Sequence, residues 1–343
     1  MRKPSAAGRA IALVFAVAGL ACAQPAAAPP DRAGNRGGPN RGAPAQNFDA
    51  VEIQTLPAQG RVTMLVGAGC NITVQAGNDG ILIVDTEYPQ LSGKILAAIR
   101  KISDKPLHYI INTHYHGDHT AGNENLRKAG NTITGGNVQG DLGAEASEGA
   151  AVIAHNNVLE RMSGAIGGQP ATPQGTWPTD TFVGEEKKMW FNNEGIEIIH
   201  IPNAHTDGDS IVFFRKSDVI STGDLFVTTT YPIIDVAAGG TINGYLDGLQ
   251  KIVDLIIPVY GQEGGTLVIP GHGRLCDLGD VLNYREMTTI IRDRIQDMIK
   301  KGMTLEQVKA AKPTFDYDPL YGTTTGFWTT DRFVEAVYQT LKK

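Results

Sequence analysis

THYHGDHT, Thr113 to Thr120, carries His114, His116, Asp118 and His119, four metal-ligating side chains within six positions of an eight-histidine chain. Imidazole nitrogen and carboxylate oxygen are donors that zinc accepts, usually four per ion, and a catalytic site leaves one position for water. His114 and His116 stand two apart, so alternating side chains on an extended loop reach one point. Asp118 and His119 face a neighbouring point. Four donors on one loop exceed what a single catalytic ion with an open position takes, so the spacing implies two ions. Three later donors stand at equivalent places, each after a strand-like run: His205 in PNAHTDGDS, Asp224 in ISTGDLF and His272 in VIPGHGR.

Outward from the loop, LHYIIN reads as the strand that delivers it. Before that, RVTMLVG (Arg61 to Gly67), NITVQAG (Asn71 to Gly77) and GILIVDTEY (Gly80 to Tyr88) read as strands divided by Gly and Asn-Asp-Gly turns. Leu91, Ile95, Leu96 and Ile99 recur at helical spacing and predict a helix from Gln90 to Ile102. The second half repeats the order. IEIIHIP, SIVFF and DVISTGD read as strands, Ile242 to Ile257 as a helix, and TLVIPGHG as a strand and loop. Helices close the chain: Leu282 to Lys301 stops at Gly302, Thr304 to Gln307 forms a capping box, and Asp331 caps a last helix. Two β/α halves predict two sheets packed face to face, with helices on both outsides.

The ends and the charge bound the rest. Arg2, Lys3 and Arg9 precede an apolar run from Ala10 to Ala21 and the small-x-small pattern Ala21-Cys22-Ala23, which reads as a cleaved signal peptide over residues 1–23. That run is too short for a stable membrane span, which needs about twenty residues. Lipidation at Cys22 is the alternative, although Gly19 stands where lipoprotein signals carry Leu. Residues 24–47 are rich in Pro, Ala, Gly, Asn and Arg and read as a disordered linker. The domain then runs from 48 to 343. The first 48 residues hold six basic and one acidic residue, leaving 24 basic against 35 acidic, a net charge of −11. An acidic body without a basic cluster argues against a nucleic-acid partner and for a small molecule. Cys70 and Cys276 permit a disulfide outside the cytoplasm; two packed thiols fit equally well.

THYHGDH, AHTDGD, TGDLF and PGHG, in that order and with that spacing, resemble the metallo-β-lactamase superfamily from about Phe48 to roughly His272. The resemblance implies an αββα sandwich with metals at one edge between the sheets. It also implies two zinc ions, one on His114, His116 and His205, the other on Asp118, His119 and His272, with Asp224 bridging. Asp118 and His116 are the expected catalytic residues. The chemistry stands beside the resemblance: zinc lowers the pKa of bound water from about 15.7 to about 7 and polarises a carbonyl.

Other residues divide between roles. Asp85 ends the third strand, where it either orients a ligand histidine or forms a turn. His155 reads as a packed or helix-starting histidine, His108 and His200 as structural, Asp207 and Asp209 as turn formers, and Cys276 as packing. Tyr115, Trp190 and Tyr231 are candidate pocket walls, with core or loop packing as the alternative. The expected activity is an exported β-lactamase-like hydrolase of lactam, lactone or thioester carbonyls. Val227 stands where one class of β-lactamase carries the Lys that pairs with the drug's carboxylate, so β-lactam turnover is expected to be inefficient. A glyoxalase II-like thioesterase or lactonase is the first alternative. An iron-dependent redox enzyme of the same fold is the second, although its diiron members usually carry Glu where His116 stands.

Overall fold

The computed structural model describes residues 46–132, 149–256 and 265–342, all within one compact unit. The expected signal peptide with Cys22, the linker as far as residue 45, and Ile257 at the end of a predicted helix lie outside these residues. The first sheet runs in the order β1 (Gln54–Pro57), β2 (Val62–Val66), β3 (Asn71–Gly77), β4 (Gly80–Val84), β5 (Leu107–Ile111), β6 (Ala151–His155), β7 (Asp180–Phe182). The second contains β8 (Glu186–Phe191), β9 (Glu194–Ile201), β10 (Asp209–Phe214), β11 (Val219–Ser221) and β12 (Leu267–Ile269), in the spatial order β12-β11-β10-β9-β8. The helices used below are α1 (Ser92–Ile102), α2 (Gly117–Thr120), α3 (Asn123–Lys128), α4 (Asn156–Met162), α5 (Ile242–Ile256), α6 (Leu278–Lys300), α7 (Leu305–Ala310) and α8 (Thr330–Leu341).

Each sheet starts as an antiparallel meander and ends in parallel pairing, from β4 through β7 in the first and β11 with β12 in the second. A parallel pair needs a crossover. α1 supplies it between β4 and β5 and α5 between β11 and β12, which is the repetition visible in the sequence.

The two-residue period of the strands sorts side chains into layers. Val62, Met64, Leu82 and Val84 face Ile196, Ile198, Val212 and Phe214 between the sheets. Leu65, Ile72, Val74, Ile81 and Ile83 point the other way and pack on Ile95 and Ile99 of α1. Ile199, Ile201, Ile211 and Ile220 cover the far face of the second sheet beneath α5, α6 and α8. The result is the predicted four-layer αββα sandwich. Every residue of β4 is buried because both of its faces are covered.

Several boundaries differ from the sequence reading. β1, β6 and β7 carry no clear alternation and escaped it, as did β8, whose side chains alternate in burial but whose inward Lys187 hides the pattern. α6 begins four residues early, at Leu278, because Asp277 and Asp280 form a capping box. Thr329, not Asp331, caps α8; its side chain accepts from the Arg332 N–H, and Asp331 sits in the first turn. The capping box at Thr304 and Gln307 is present as read. Cys70 and Cys276 are both buried free thiols, the packed alternative. Among the described residues no helix is long and apolar enough to cross a membrane.

Strand direction positions the site. β9 and β11 both run antiparallel to β10, so they point the same way, and β12 is parallel to β11. The C-terminal ends of β9, β11 and β12 therefore reach one edge of the second sheet. The ends of β4 and β5 reach one edge of the first. The Ser210 N–H donates to the Thr113 carbonyl at 2.8 Å, tying the loop after β5 to the second sheet.

Candidate metal centre

His114, His116, Asp118 and His119 leave the end of β5 and enter α2, while His205, Asp224 and His272 follow β9, β11 and β12. His116 Nδ1 lies 3.1 Å from His114 Nε2 and 2.9 Å from His205 Nε2. Asp224 Oδ2 is 3.7 Å from His205 Nε2. Its other oxygen, Oδ1, is 3.2 Å from both His119 Nε2 and His272 Nε2. Asp118 Oδ2 completes that second group at 3.3 Å from His272 Nε2. One carboxylate thus spans two donor sets, His114/His116/His205 and Asp118/His119/His272.

The donors fit metal ions. Ligand atoms 2.0–2.1 Å from a tetrahedral ion stand about 3.3 Å apart, close to the spacing seen here. In every ring the nitrogen facing away from the cluster has its own partner. His119 Nδ1 donates to Asp85 Oδ2 at 2.7 Å, His205 Nδ1 to the Ile233 carbonyl at 2.6 Å, and His272 Nδ1 to the Gly69 carbonyl at 3.0 Å. His116 Nε2 donates to Asp235 Oδ2 at 3.1 Å, and His114 Nδ1 lies 3.1 Å from Thr113 Oγ1. These contacts fix the tautomers and aim the remaining nitrogens at the cluster. Burial first, then the neighbouring imidazoles of His119, His205 and His116, push the His114 pKa well below its ordinary value. It stays neutral, the form that binds metal.

Asp85 is the orienting residue, and its left-handed backbone (φ 64°) turns the carboxylate toward the loop. It also accepts from the Thr113 N–H at 2.8 Å and hydroxyl at 2.7 Å. Two glycines beside the donors follow from close packing. A Cβ on Gly271 would overlap Asp224 Oδ1 and the Gly223 backbone, and one on Gly223 would meet Thr113. A third acidic-thiol group, Cys70 and Asp85 around His119, supports the centre from behind. Burial pushes the Cys70 thiol up to about 12, so it stays protonated.

The pocket candidates fare differently. The Tyr115 hydroxyl donates to Asp235 Oδ2 at 2.6 Å, and its ring packs on the Val158 and Met162 cluster. Tyr115 thus braces the partner of His116 rather than presenting a face to substrate. Tyr231 is a core residue, 1% exposed; its hydroxyl donates to Asp318 Oδ1 at 2.8 Å and its ring stacks on Phe333. Trp190 sits in β8 rather than a loop, opposite Gly195 at the start of β9. His205 follows the other end of β9, so Trp190 lies roughly 20 Å away along the strand, facing solvent. Neither lines the centre.

His155 caps α4, accepting from the Asn157 N–H, and stacks on His200 at 3.7 Å. His108 Nδ1 pairs with the Asn131 carbonyl. Asp209 holds its turn by accepting from the Thr206 N–H and hydroxyl, while burial raises its pKa to about 8. Asp207 instead forms a bidentate pair with Arg161, both contacts at 2.6 Å. Cys276 packs against Val268 in an isolated bridge. Val227 is buried in the core and bridges to His272, so it offers the site no cation.

Sequence reasoning missed Asp235 and Glu87. Asp235 stands before Val236-Ala237-Ala238-Gly239 and reads as a turn former, which it also is, accepting from the Ala238 N–H. Glu87 is buried and accepts from the N–H of Gly69 at 2.8 Å, bracing the residue whose carbonyl, in the next peptide unit, holds His272. Burial raises its pKa to about 7 against that N–H. Neither residue has a local signal.

The model of the metallo-beta-lactamase superfamily matches residues 65–272. Over 282 residues the chain is 26% identical to the linear primary-alkylsulfatase of Pseudomonas sp., covering 71% of this chain and 52% of that protein. It is 21% identical over 209 residues to the metallo-beta-lactamase type 2 of Bacillus cereus, covering 61% and 68%. A hydroxyacylglutathione hydrolase of Pelagibacter ubique is 28% identical over 157 residues, covering 45% and 50%. The chain therefore spans about half the length of the alkylsulfatase and of the hydroxyacylglutathione hydrolase. Among solved structures, a double mutant of the sec-alkyl sulfatase PisA1 from Pseudomonas sp. shares the fold with a TM-score of 0.60 at 14% identity, covering 85% of this chain and 50% of that one. The metallo-beta-lactamase from Pontibacter korlensis does so with a TM-score of 0.51 at 13% identity, covering 69% and 99%. A family match over more than half of the residues, on a sandwich whose strand ends gather the candidate donors, makes this chain a member of the metallo-beta-lactamase superfamily.

Proposed function

We propose that this chain is an exported dizinc hydrolase that opens lactam, lactone or thioester carbonyls with water, and that β-lactams are among its slower substrates. The observation that carries this reading is Asp224, whose two oxygens face two separate donor sets. When bound, the metal pair would supply a water-derived nucleophile near neutral pH and an electrophile for the carbonyl oxygen. The chain's own residues do the positioning. Asp235 and Tyr115 hold the His116 ring, Asp85 holds His119, and Asp118 is assigned to take the proton that the attacking water loses. His116 and His272 side chains are 16% and 15% exposed while the other three rings are buried, so substrate approaches between these two.

A second reading makes the scissile group a sulfate ester. It is favoured by the match to the linear primary-alkylsulfatase over 71% of this chain. Elemental analysis of purified protein, with a panel of penicillin, cephalosporin, carbapenem, homoserine lactone, glutathione thioester and a primary alkyl sulfate, separates the readings. Carbonyl turnover with close to two zinc ions supports the first, and sulfate release alone supports the second. One iron with no hydrolysis of any member overturns both. Export rests on the basic start and apolar run of residues 1–23, and N-terminal sequencing of protein recovered outside the cytoplasm tests it.

A further inference from the structure

A cavity of about 320 Å³ opens beside the centre, with His116 and Asp235 on one wall and the first turns of α8 on the other. Its size falls in the range of small-ligand pockets. Ile234 and Val236 give it apolar surface from the loop after β11, and Trp328 and Ala336 give it apolar surface from the C-terminal segment. Trp328 is fixed in place because its indole N–H donates to the Pro232 carbonyl at 3.0 Å. All of the second wall lies beyond residue 272, outside the residues that the family model matches.

Arg332 is the cation of this cavity. Its guanidinium stands 5.9 Å from the centre of the Phe327 ring and donates to the Phe327 carbonyl, contacts that orient it without neutralising it. The cavity's two carboxylates are engaged elsewhere. Asp235 accepts from His116 and Tyr115, and Glu335 pairs with Lys309 at 2.9 Å. Among the described residues no carboxylate forms an ion pair with Arg332. An oriented guanidinium presents N–H groups in a planar fork that matches a carboxylate, and an apolar wall beside it strengthens that pairing.

We propose that this cavity binds the non-reacting arm of the substrate, and that this arm is apolar and ends in a carboxylate paired with Arg332. The proposal rests on the hydrolase reading for what happens at the metals, but the arm's binding is measurable without turnover. Calorimetry on zinc-loaded protein with hexanoate, and with 1-hexanol as the neutral control, reads it directly. Arg332 is exposed, so hexanoate should bind roughly two- to fivefold more weakly to Arg332→Gln than to the parent chain, the range of a solvent-screened ion pair. Arg332→Lys keeps the charge but loses the planar fork and the guanidinium contact with the Phe327 ring, so it should bind more tightly than Arg332→Gln and more weakly than the parent chain. Equal binding to the parent chain and Arg332→Gln, as expected of a carboxylate held by the metals, overturns the proposal. So does an Arg332→Lys protein as weak as Arg332→Gln, or no hexanoate binding at all. In parallel, the ratio of kcat/KM for a p-nitrophenyl ester with a terminal carboxylate over its methyl-ester analogue should fall by a similar factor in Arg332→Gln. Hexanoate binding that depends on Arg332, with no turnover of this ester pair or of any carbonyl substrate in the panel above, sinks the hydrolase reading and sustains this one.

Discussion

Replacing Asp85 with Asn isolates the support of one ligand. Asp85 is 2% exposed, and its carboxylate receives three hydrogen bonds, from His119 Nδ1 at 2.7 Å, the Thr113 N–H at 2.8 Å and the Thr113 hydroxyl at 2.7 Å. Asn tolerates the left-handed backbone at this position, so the change adds little strain. Its amide oxygen keeps the Thr113 N–H, and the Thr113 hydroxyl can turn to accept from the new NH₂ group. His119 cannot adapt as cheaply. With an NH₂ opposite Nδ1, the favoured tautomer moves the ring proton to Nε2, the atom that faces Asp224 and His272. Binding a metal on that side must then reverse the tautomer against its partner. Changes to such orienting groups cost about ten- to a hundredfold in metal affinity, or about 1.4 to 2.7 kcal/mol. Competition with a chromophoric chelator should show one zinc weakened by that factor and the other, on His114, His116 and His205, nearly unchanged. Two affinities within threefold of the parent chain would refute the argument that Asp85 sets the His119 tautomer.

Chelation should remove activity and lower Tm, since a ligand at a thousandfold excess over its Kd adds about 4 kcal/mol of stability; a melting curve indifferent to chelator would count against metals that bind the fold. His116→Ala should abolish most turnover while His155→Ala changes it little, and equal losses in two folded proteins would reassign His155. Burial, then the stacked His200, lowers the His155 pKa to about 4, against an unfolded value near 6.5. The folded chain refuses a proton that the unfolded chain takes, so this contribution is intact above about pH 6.5 and is lost as pH falls toward 4. In metal-free protein, His155→Asn, which still caps α4, should flatten the urea midpoint across that window; superimposable curves would exclude the linkage. Gly271→Ala should push a methyl group into Asp224 and the Gly223 backbone, costing about 1–3 kcal/mol and part of the metal content, and a variant with two tight zinc ions would show that the loop yields.

The seven candidate donors that the structure gathers were legible in the chain because a ligand pattern is written in local spacing and in small residues that let backbones approach. HYHGDH puts four donors on one loop, and Gly271 precedes His272 because no side chain fits against Asp224. The alternating strands and the capping box at Thr304 are likewise local, and they sufficed for two sheets with helices outside. β6 and β7 were missed because short strands in parallel pairs need no alternation of their own; β8 alternates in burial, but Lys187 at an inward position hides it in the sequence.

What holds the rings depended on contacts far apart in the chain. Asp235 meets His116 across 119 residues, and Ile233 meets His205 across 28. The backbone carbonyls of Ile233 and Gly69 carry no residue-type signal at all. Tyr231 and Trp190 show the same limit from the other side. An aromatic ring with a polar tip satisfies a core or a pocket equally well, and only the partner decides, which for Tyr231 is Asp318, 87 residues on. The second wall of the cavity was invisible for that reason too: α8 reads as an amphipathic helix wherever it packs, and only the tertiary structure brings Arg332 to the cavity that His116 lines. Sequence by itself determined the fold and the candidate donors that it gathers, since both follow from short-range geometry. The orientation of each ring and the neighbours that select a substrate came from long-range packing, which no local pattern encodes.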